Sequence, residues 1–331
     1  MSITRKELDA AAQQGLLTPE QIEPLLAFLN RASAVQPRFT GTHVVYYLGG
    51  LIAMAALSLF LHIGWNSFGG WGLATLALVY ALAGWKLTDY WLHRRQLRIP
   101  AGVSAAFTVS VIPLLVYGVQ AELIGWQGLP PTLNYLGSSA DTQWLPAQLG
   151  AMLCALVLFR AYKLPFIMMP MTVACWIFAL NVSAAGSEIP WLPHITQETA
   201  SMIAGIVMVL IAVWLDRTTA HNDCAFWWYV VGVLAFWLGL TWQDHATEWA
   251  RFGYLCVNLM LLFAGALLGR RIFVVCAGLG VAGYLGYLSY EVFENSIAFP
   301  IALTFIGLGI MYCGVLWQRY EQRHPQRWKR T

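Results

Sequence analysis

The amino-acid sequence predicts an all-α polytopic integral membrane protein of about ten transmembrane helices, both termini cytoplasmic, with a short N-terminal cytosolic helical hairpin. Three observations carry that prediction. The 331 residues are 59% apolar and only 11% charged, with a mean hydropathy of +0.60, whereas soluble domains carry roughly 25% charged residues. Ten stretches are apolar over the roughly 20 residues a helix needs to cross a hydrocarbon core of about 30 Å. Of the 19 Lys and Arg residues, 18 fall on one side of the map those stretches define. The first observation excludes a water-soluble enzyme. The second excludes an outer-membrane barrel, whose strands would alternate over about ten residues.

Residues 1 to 40 read as a cytosolic arm. Thr4 to Glu7 has capping-box spacing before a short helical stretch that Gly15 can end. A second helix starts at Thr18-Pro19-Glu20-Gln21, with Pro at its first position, and carries Ile22, Leu25, Leu26 and Leu29 at helical spacing. Pro24 predicts a bend one turn in. The stripe has three uses open to it: packing on Leu8, Ala11 and Ala12 within the arm, packing on the membrane-facing loops, or docking on a protein partner. No basic n-region, short apolar h-region and small-residue cleavage site opens the chain, so the first span is expected to double as the insertion signal.

The spans fall at about 43 to 63, 69 to 90, 99 to 119, 145 to 159, 164 to 185, 199 to 215, 225 to 242, 250 to 268, 272 to 290 and 297 to 317. Residues 41 to 317 thus form the bundle and 318 to 331 a basic cytosolic tail. Sorting charge by side orients it. One side holds 18 basic and 8 acidic residues, a balance of 18 − 8 = +10; the other holds Arg251 alone and 8 acids, 1 − 8 = −7. The basic side is the cytoplasmic one, so both ends of the chain lie there. Trp65, Trp71, Trp126, Trp144, Trp191, Trp242 and Trp249 mark the outer ends of spans, as indole rings do at headgroup level. Outside, the longest loop runs from Gln120 to Trp144. Inside, His93 to Arg98 is a basic turn set against anionic headgroups; it is too short to be a nucleic-acid site.

Spans one to three and seven to nine share an order of features. Tyr46 to Gly50 matches Trp228 to Gly232, Trp71-Gly72 matches Trp249-Ala250, Ala83-Gly84 matches Ala264-Gly265, and Arg94-Arg95 matches Arg270-Arg271. The offset drifts from 182 to 176, and the repeat it describes is parallel. Parallel and inverted repeats both occur in transporters.

In its first 180 residues or so the chain resembles the bacterial predicted membrane proteins called domain of unknown function 2157. The resemblance rests on Gly15-Leu16-Leu17-Thr18-Pro19-Glu20-Gln21, on a Gly-rich first span ending near Trp65, and on a third span ending in Tyr117-Gly118-Val119-Gln120. It departs at Leu17, where isoleucine is common in that arm. The resemblance implies a cytosolic helical arm on a polytopic bundle and brings no activity, cofactor or site residue with it.

The chemistry-bearing residues are few. Five of the six cysteines, Cys154, Cys175, Cys256, Cys276 and Cys313, fall within spans and Cys224 at a cytoplasmic edge. None forms a CxxC pair, so they read as small apolar packers. Asn258 is the deepest polar group, seven residues past Arg251 and so about 10 Å into its span. An interhelical hydrogen bond is its plain role and a solute contact its sharper one. Lys86 and Asp89, three apart on one helix face, read as a snorkelling pair. Pro113 and Pro170 read as the deeper helix breaks, which in transporters sometimes mark sites. Outside, His62, His194 and His245 accompany Asp244, Glu248, Glu291 and Glu294, without the spacing of a metal site. Gly265 and Gly269 form a GxxxG, and Gly278, Ala282 and Gly286 line one face, together a candidate helix-packing or homo-oligomer surface.

No HExxH, P-loop or GxSxG is present. The functional expectation is therefore a noncatalytic inner-membrane protein with a structural, assembly or regulatory role through its arm, embedded in the lipid bilayer and needing no cofactor, metal or nucleic acid. The alternative is a transporter or channel for a small or amphiphilic solute.

Overall fold

The computed structural model describes residues 8, 12, 18, 21–25, 41–124, 144–188, 195–218, 224–243, 247–288, 301, 304, 307–308 and 311–312. Of these, 94% are helical and none lies in a strand. The helices are α1 (Gly41–Asp89), α2 (Arg98–Ile124), α3 (Leu145–Tyr162), α4 (Met168–Glu188), α5 (Gln197–Thr218), α6 (Ala225–Trp242), α7 (Glu248–Leu268) and α8 (Arg271–Tyr287). Six helical segments, α2, α3, Pro165–Ala184, α5, α6 and α7, are long and apolar enough to cross a membrane, and α8 is a shorter apolar helix of 17 residues. This is an all-α membrane protein.

The chain separates into two compact units, Met1–Leu57 and Ser58–Thr331. In the first, the Gln21 side chain accepts from the Thr18 N–H at 3.2 Å, and the Gln21 N–H donates to the Thr18 carbonyl at 2.9 Å. That is the return half of a capping box, at the helix start the sequence predicts. Leu8 and Ile22 are buried.

The second unit is built with its small residues inside. Along α3, Ala147, Ala151, Ala155 and Leu158 are buried at helical spacing, while Leu149, Leu153, Leu156 and Val157 face outward. Ala77 and Ala81 of α1, and Ala101, Ala105 and Ala106 of α2, are likewise buried. Lipid tails are as apolar as leucine, so large side chains gain nothing by leaving them; close backbone approach over Ala, Gly and Ser holds such helices together. Two cores result. One joins α2, α3 and α4 through Val109, Leu158 and Ala174; the other joins α5, α6 and α8 through Met208, Trp228, Val233 and Phe273.

Several boundaries differ from the sequence reading, each for a local reason. Spans one and two are not separated by a loop, because helical backbone runs from Gly41 to Asp89 with one non-helical residue, Gly69, at φ 63 and ψ −172. That conformation is essentially restricted to glycine. A π-helical turn, Tyr90–Arg94, follows α1, and Gln96 at φ 56 turns the chain into α2. Helix α2 continues to Ile124 and thus takes Glu122 out of the predicted loop. Lys163, at φ 51 and ψ 40, ends α3, and a 3-10 turn, Pro165–Ile167, precedes α4. Pro170 is therefore the third residue of α4 and not a mid-span break. Its missing N–H is one that the first turn leaves unpaired in any helix. Pro113 does lie inside α2, where its lack of an N–H leaves the Val109 carbonyl without its helical donor. Span seven coincides with α6, Ala225–Trp242. Of the predicted tenth span, residues 301, 304, 307, 308, 311 and 312 are described, and all are helical.

Candidate functional site

Polar side chains are more numerous inside the bundle than the sequence reading allows. Thr88, Ser104, Thr108, Gln148, Thr172, Asn181 and Ser201 are buried alongside Asn258. Most are Ser and Thr, and all of these except Ser201 bond a carbonyl of their own helix. Thr88 donates to the Gly84 carbonyl at 2.8 Å, Thr108 to the Ser104 carbonyl at 3.0 Å and Thr172 to the Met168 carbonyl at 2.9 Å. This back-bonding makes them invisible to a search for intramembrane polarity.

Some also tie helices together. Thr88 of α1 and Ser104 of α2 meet at 2.9 Å, beside Gly84. A Cβ on Gly84 would stand 2.5 Å from the Thr108 hydroxyl oxygen. On the other side of the bundle, Trp176 Nε1 of α4 donates to Ser201 of α5 at 2.9 Å, and Ser201 donates to the Ala235 carbonyl of α6 at 2.6 Å. One hydroxyl thus couples three helices.

The hairpin of α7 and α8 carries an Arg, acid and Tyr cluster at each end. At one, Arg251 donates to Glu248 at 2.6 Å and to the Tyr287 hydroxyl, which itself donates to Glu248 at 2.9 Å. The guanidinium lies 4.2 Å from the Tyr287 ring centroid. At the other end, Arg270 bonds both Asp216 oxygens, at 2.8 and 2.7 Å, and lies 4.9 Å from the Tyr229 ring centroid. The forked guanidinium suits such bidentate contact. The first cluster closes the hairpin, and the second joins it to α5 and α6.

Between them sits Asn258, with no exposed surface. Its Nδ2 donates to the Tyr254 carbonyl of its own helix at 2.9 Å, not to a neighbouring helix as expected from the sequence. Its Oδ1 has no hydrogen-bond partner and lies against Gly280 of α8. Asn181 Nδ2, Trp228 Nε1 and Trp237 Nε1 are also buried without a partner. Asn181, to which no sequence pattern points, is nearly as enclosed as Asn258.

The break at Gly69 is the second notable locality. The Glu122 carboxylate accepts from the Gly70 N–H at 2.8 Å and the Trp71 N–H at 3.3 Å, capping the helical stretch that restarts there. An anion at a helix N-terminus is favoured by the unpaired N–H groups and the dipole. Gly70 and Gly118 let α1 and α2 touch, since a Cβ on Gly118 would lie 2.8 Å from the Gly70 carbonyl oxygen. Replacing Glu122 with Ala is expected to cost about 1 kcal/mol, as for other lost caps. It should also speed hydrogen exchange at the Gly70 and Trp71 amides, whereas Glu122→Gln, which keeps an acceptor, should do neither. Unchanged exchange in the Ala variant would show that the cap contributes nothing.

The structure does not gather the sequence-predicted positions into one site. Pro113 lies in α2, Asn258 in α7, and Lys86 and Asp89 at the end of α1. Asp89 pairs with His93 at 2.9 Å, four residues on, instead of Lys86. The GxxxG divides: Gly265, in the last turn of α7, lies under Phe273 of α8, and Gly269, at φ 64, is the left-handed cap of α7. A Cβ added at Gly278 or Gly286 would have no neighbour within 4 Å, and Ala282 between them is exposed. Cys313, His194, His245, Asp244, Glu291 and Glu294 lie outside the described residues. Among the described residues no group of three or more His, Cys, Asp or Glu is placed to hold a metal ion.

Comparison of the chain with protein-family models, curated proteins and solved structures gives no match in any of the three.

Proposed function

We propose that the chain is a noncatalytic multi-pass protein of the bacterial inner membrane, with about ten spans and both termini cytoplasmic. Its bundle serves as a scaffold, and its N-terminal arm engages a protein partner in assembly, envelope organisation or regulation. The observation that carries this reading is how the interior polar groups are used: Thr88 with Ser104, and Trp176 with Ser201 and the Ala235 carbonyl, join helix to helix. The resemblance to domain of unknown function 2157, an arm on a polytopic bundle, points the same way. Deleting residues 1 to 36 should leave insertion and thermal stability intact while removing the co-purifying partner. The same proteins recovered with and without the arm, together with an unchanged phenotype, would sink the docking role.

One observation favours the transporter reading instead. Helix α2 carries both Pro113 and Glu122, and Glu122 caps the break at Gly69 in α1. Interrupted helices whose ends meet polar groups are the usual location of transporter sites. A solute that stabilises the purified chain thermally, with the shift lost in Glu122→Gln, would support transport over the scaffold.

A further inference from the structure

The end of the bundle that gathers α1, the π-helical turn and the close of α3 is built around Tyr162. Its hydroxyl accepts from Trp85 Nε1 at 2.8 Å, and its ring lies 6.3 Å, centroid to centroid, from His93. These contacts bring the last turn of α1 to the end of α3. The cations that flank them in sequence are Lys86, Arg94, Arg160 and Lys163, all exposed. Asp89, the acid within this group, pairs with His93. Among the described residues none of the four cations makes an ion pair. At the turn between α7 and α8 the pattern is the reverse, since Arg270 is held bidentately by Asp216.

Lys163 adds a second feature. It sits at φ 51, a left-handed conformation that β-carbon residues adopt rarely, and its N–H caps α3 on the Phe159 carbonyl at 2.8 Å. A glycine or asparagine is the ordinary occupant of that position. The chain places a cation there instead, next to Tyr162 and three residues after Arg160. Tryptophan and tyrosine with free cations beside them are the composition of a lipid headgroup contact.

We propose that Lys86, Arg94, Arg160 and Lys163, set around the Trp85–Tyr162 pair, form a binding site for the phosphate of an anionic phospholipid. The inference rests on the proposed orientation, in which this end faces the cytoplasmic leaflet. The aromatic pair supplies the wall against which the glycerol and upper acyl carbons lie, and the four cations neutralise the phosphate. A lipid phosphate fits better than a soluble anion, because this cluster adjoins exposed apolar side chains of the same helices, Leu82, Leu87 and Val157.

Native mass spectrometry of the full chain in detergent tests this with phosphatidylglycerol, phosphatidylcholine as its neutral counterpart, and inorganic phosphate as the soluble anion. The expected result is retained phosphatidylglycerol and no comparable retention of the other two. The double variant Arg160→Gln with Lys163→Asn, where Asn tolerates the left-handed backbone, should weaken phosphatidylglycerol binding by about twenty-fivefold, roughly fivefold per charge removed near the surface. The matched control, Arg217→Gln with Arg271→Gln, removes the same charge from exposed positions on other helices and should change binding less than about twofold. Equal losses in both doubles would reduce the effect to general charge attraction and overturn the site. Inorganic phosphate that competes at equal concentration would overturn the lipid assignment. Lys163→Cys, in a chain stripped of its own six cysteines, reports the orientation separately: labelling by an impermeant reagent from the periplasmic side would break the topology while leaving the binding result standing.

Discussion

Replacing Gly205 with alanine is expected to destabilise the bundle by about 3 kcal/mol, at the upper end of overpacking costs. A Cβ at this position would fall 2.4 Å from the Phe236 nitrogen, 2.6 Å from the Gly232 carbonyl oxygen and 2.7 Å from the Phe236 Cα. All three are backbone atoms of α6, so no side chain can swing aside and the two helices must separate. The separation would reach Ser201, one turn earlier, whose 2.6 Å bond to the Ala235 carbonyl depends on the same approach. Gly278→Ala supplies the control, because nothing lies within 4 Å of its Cβ position. There the change should be neutral, or stabilising by about 0.5 to 1 kcal/mol through helix propensity. Unfolding of both variants in the same detergent decides the matter; equal stability would show that α5 and α6 are not held by this contact.

Those two glycines also show what the sequence makes legible. Composition marks both as residues in apolar helices, and the bundle's helical class, the position of α6 and the helix start at Thr18 follow from local pattern alone. Which glycine touches a neighbour is a question of pairing between distant segments, and it leaves no local trace. Glu122 illustrates the same limit: the polar run after Val119 reads as the start of a loop, yet its carboxylate is spent on amides 51 and 52 residues away, and the helix continues. Gly269 departs from its sequence reading for a different reason. Its spacing from Gly265 satisfies GxxxG, but a glycine followed by Arg270 and Arg271 is also a helix stop before a turn, and φ 64 settles it as the stop. The hydroxyls of Thr88, Ser104, Thr108 and Thr172 carry no sequence signal, because residues that bond their own helix behave in sequence as small apolar ones.

Asn258 is where sequence and structure converge on one residue and part over its role, and Gly280 provides the means to separate the possibilities. Gly280→Ala would set a Cβ 2.0 Å from Asn258 Oδ1 and 2.4 Å from its Cγ. The amide is fully enclosed and fixed by its bond to the Tyr254 carbonyl, so it has no free rotamer to retreat to. The expected loss is about 2 to 3 kcal/mol. Asn258→Ala alone should cost about 1 kcal/mol or less, since it opens a small cavity but also removes a buried oxygen that has no partner. With both changes the new methyl enters the space the amide vacates, so the double variant should be more stable than Gly280→Ala by at least about 1 kcal/mol, the coupling expected of residues in contact. Additive losses would mean that α7 and α8 do not meet here. The same variants bear on transport, because a solute contact at Asn258 requires Oδ1 to be reachable, and Gly280 covers it. Any solute that stabilises the chain should therefore do so equally in the unaltered protein and in Asn258→Ala, while a shift lost in that variant would return Asn258 to the role of a binding residue and place the path between α7 and α8.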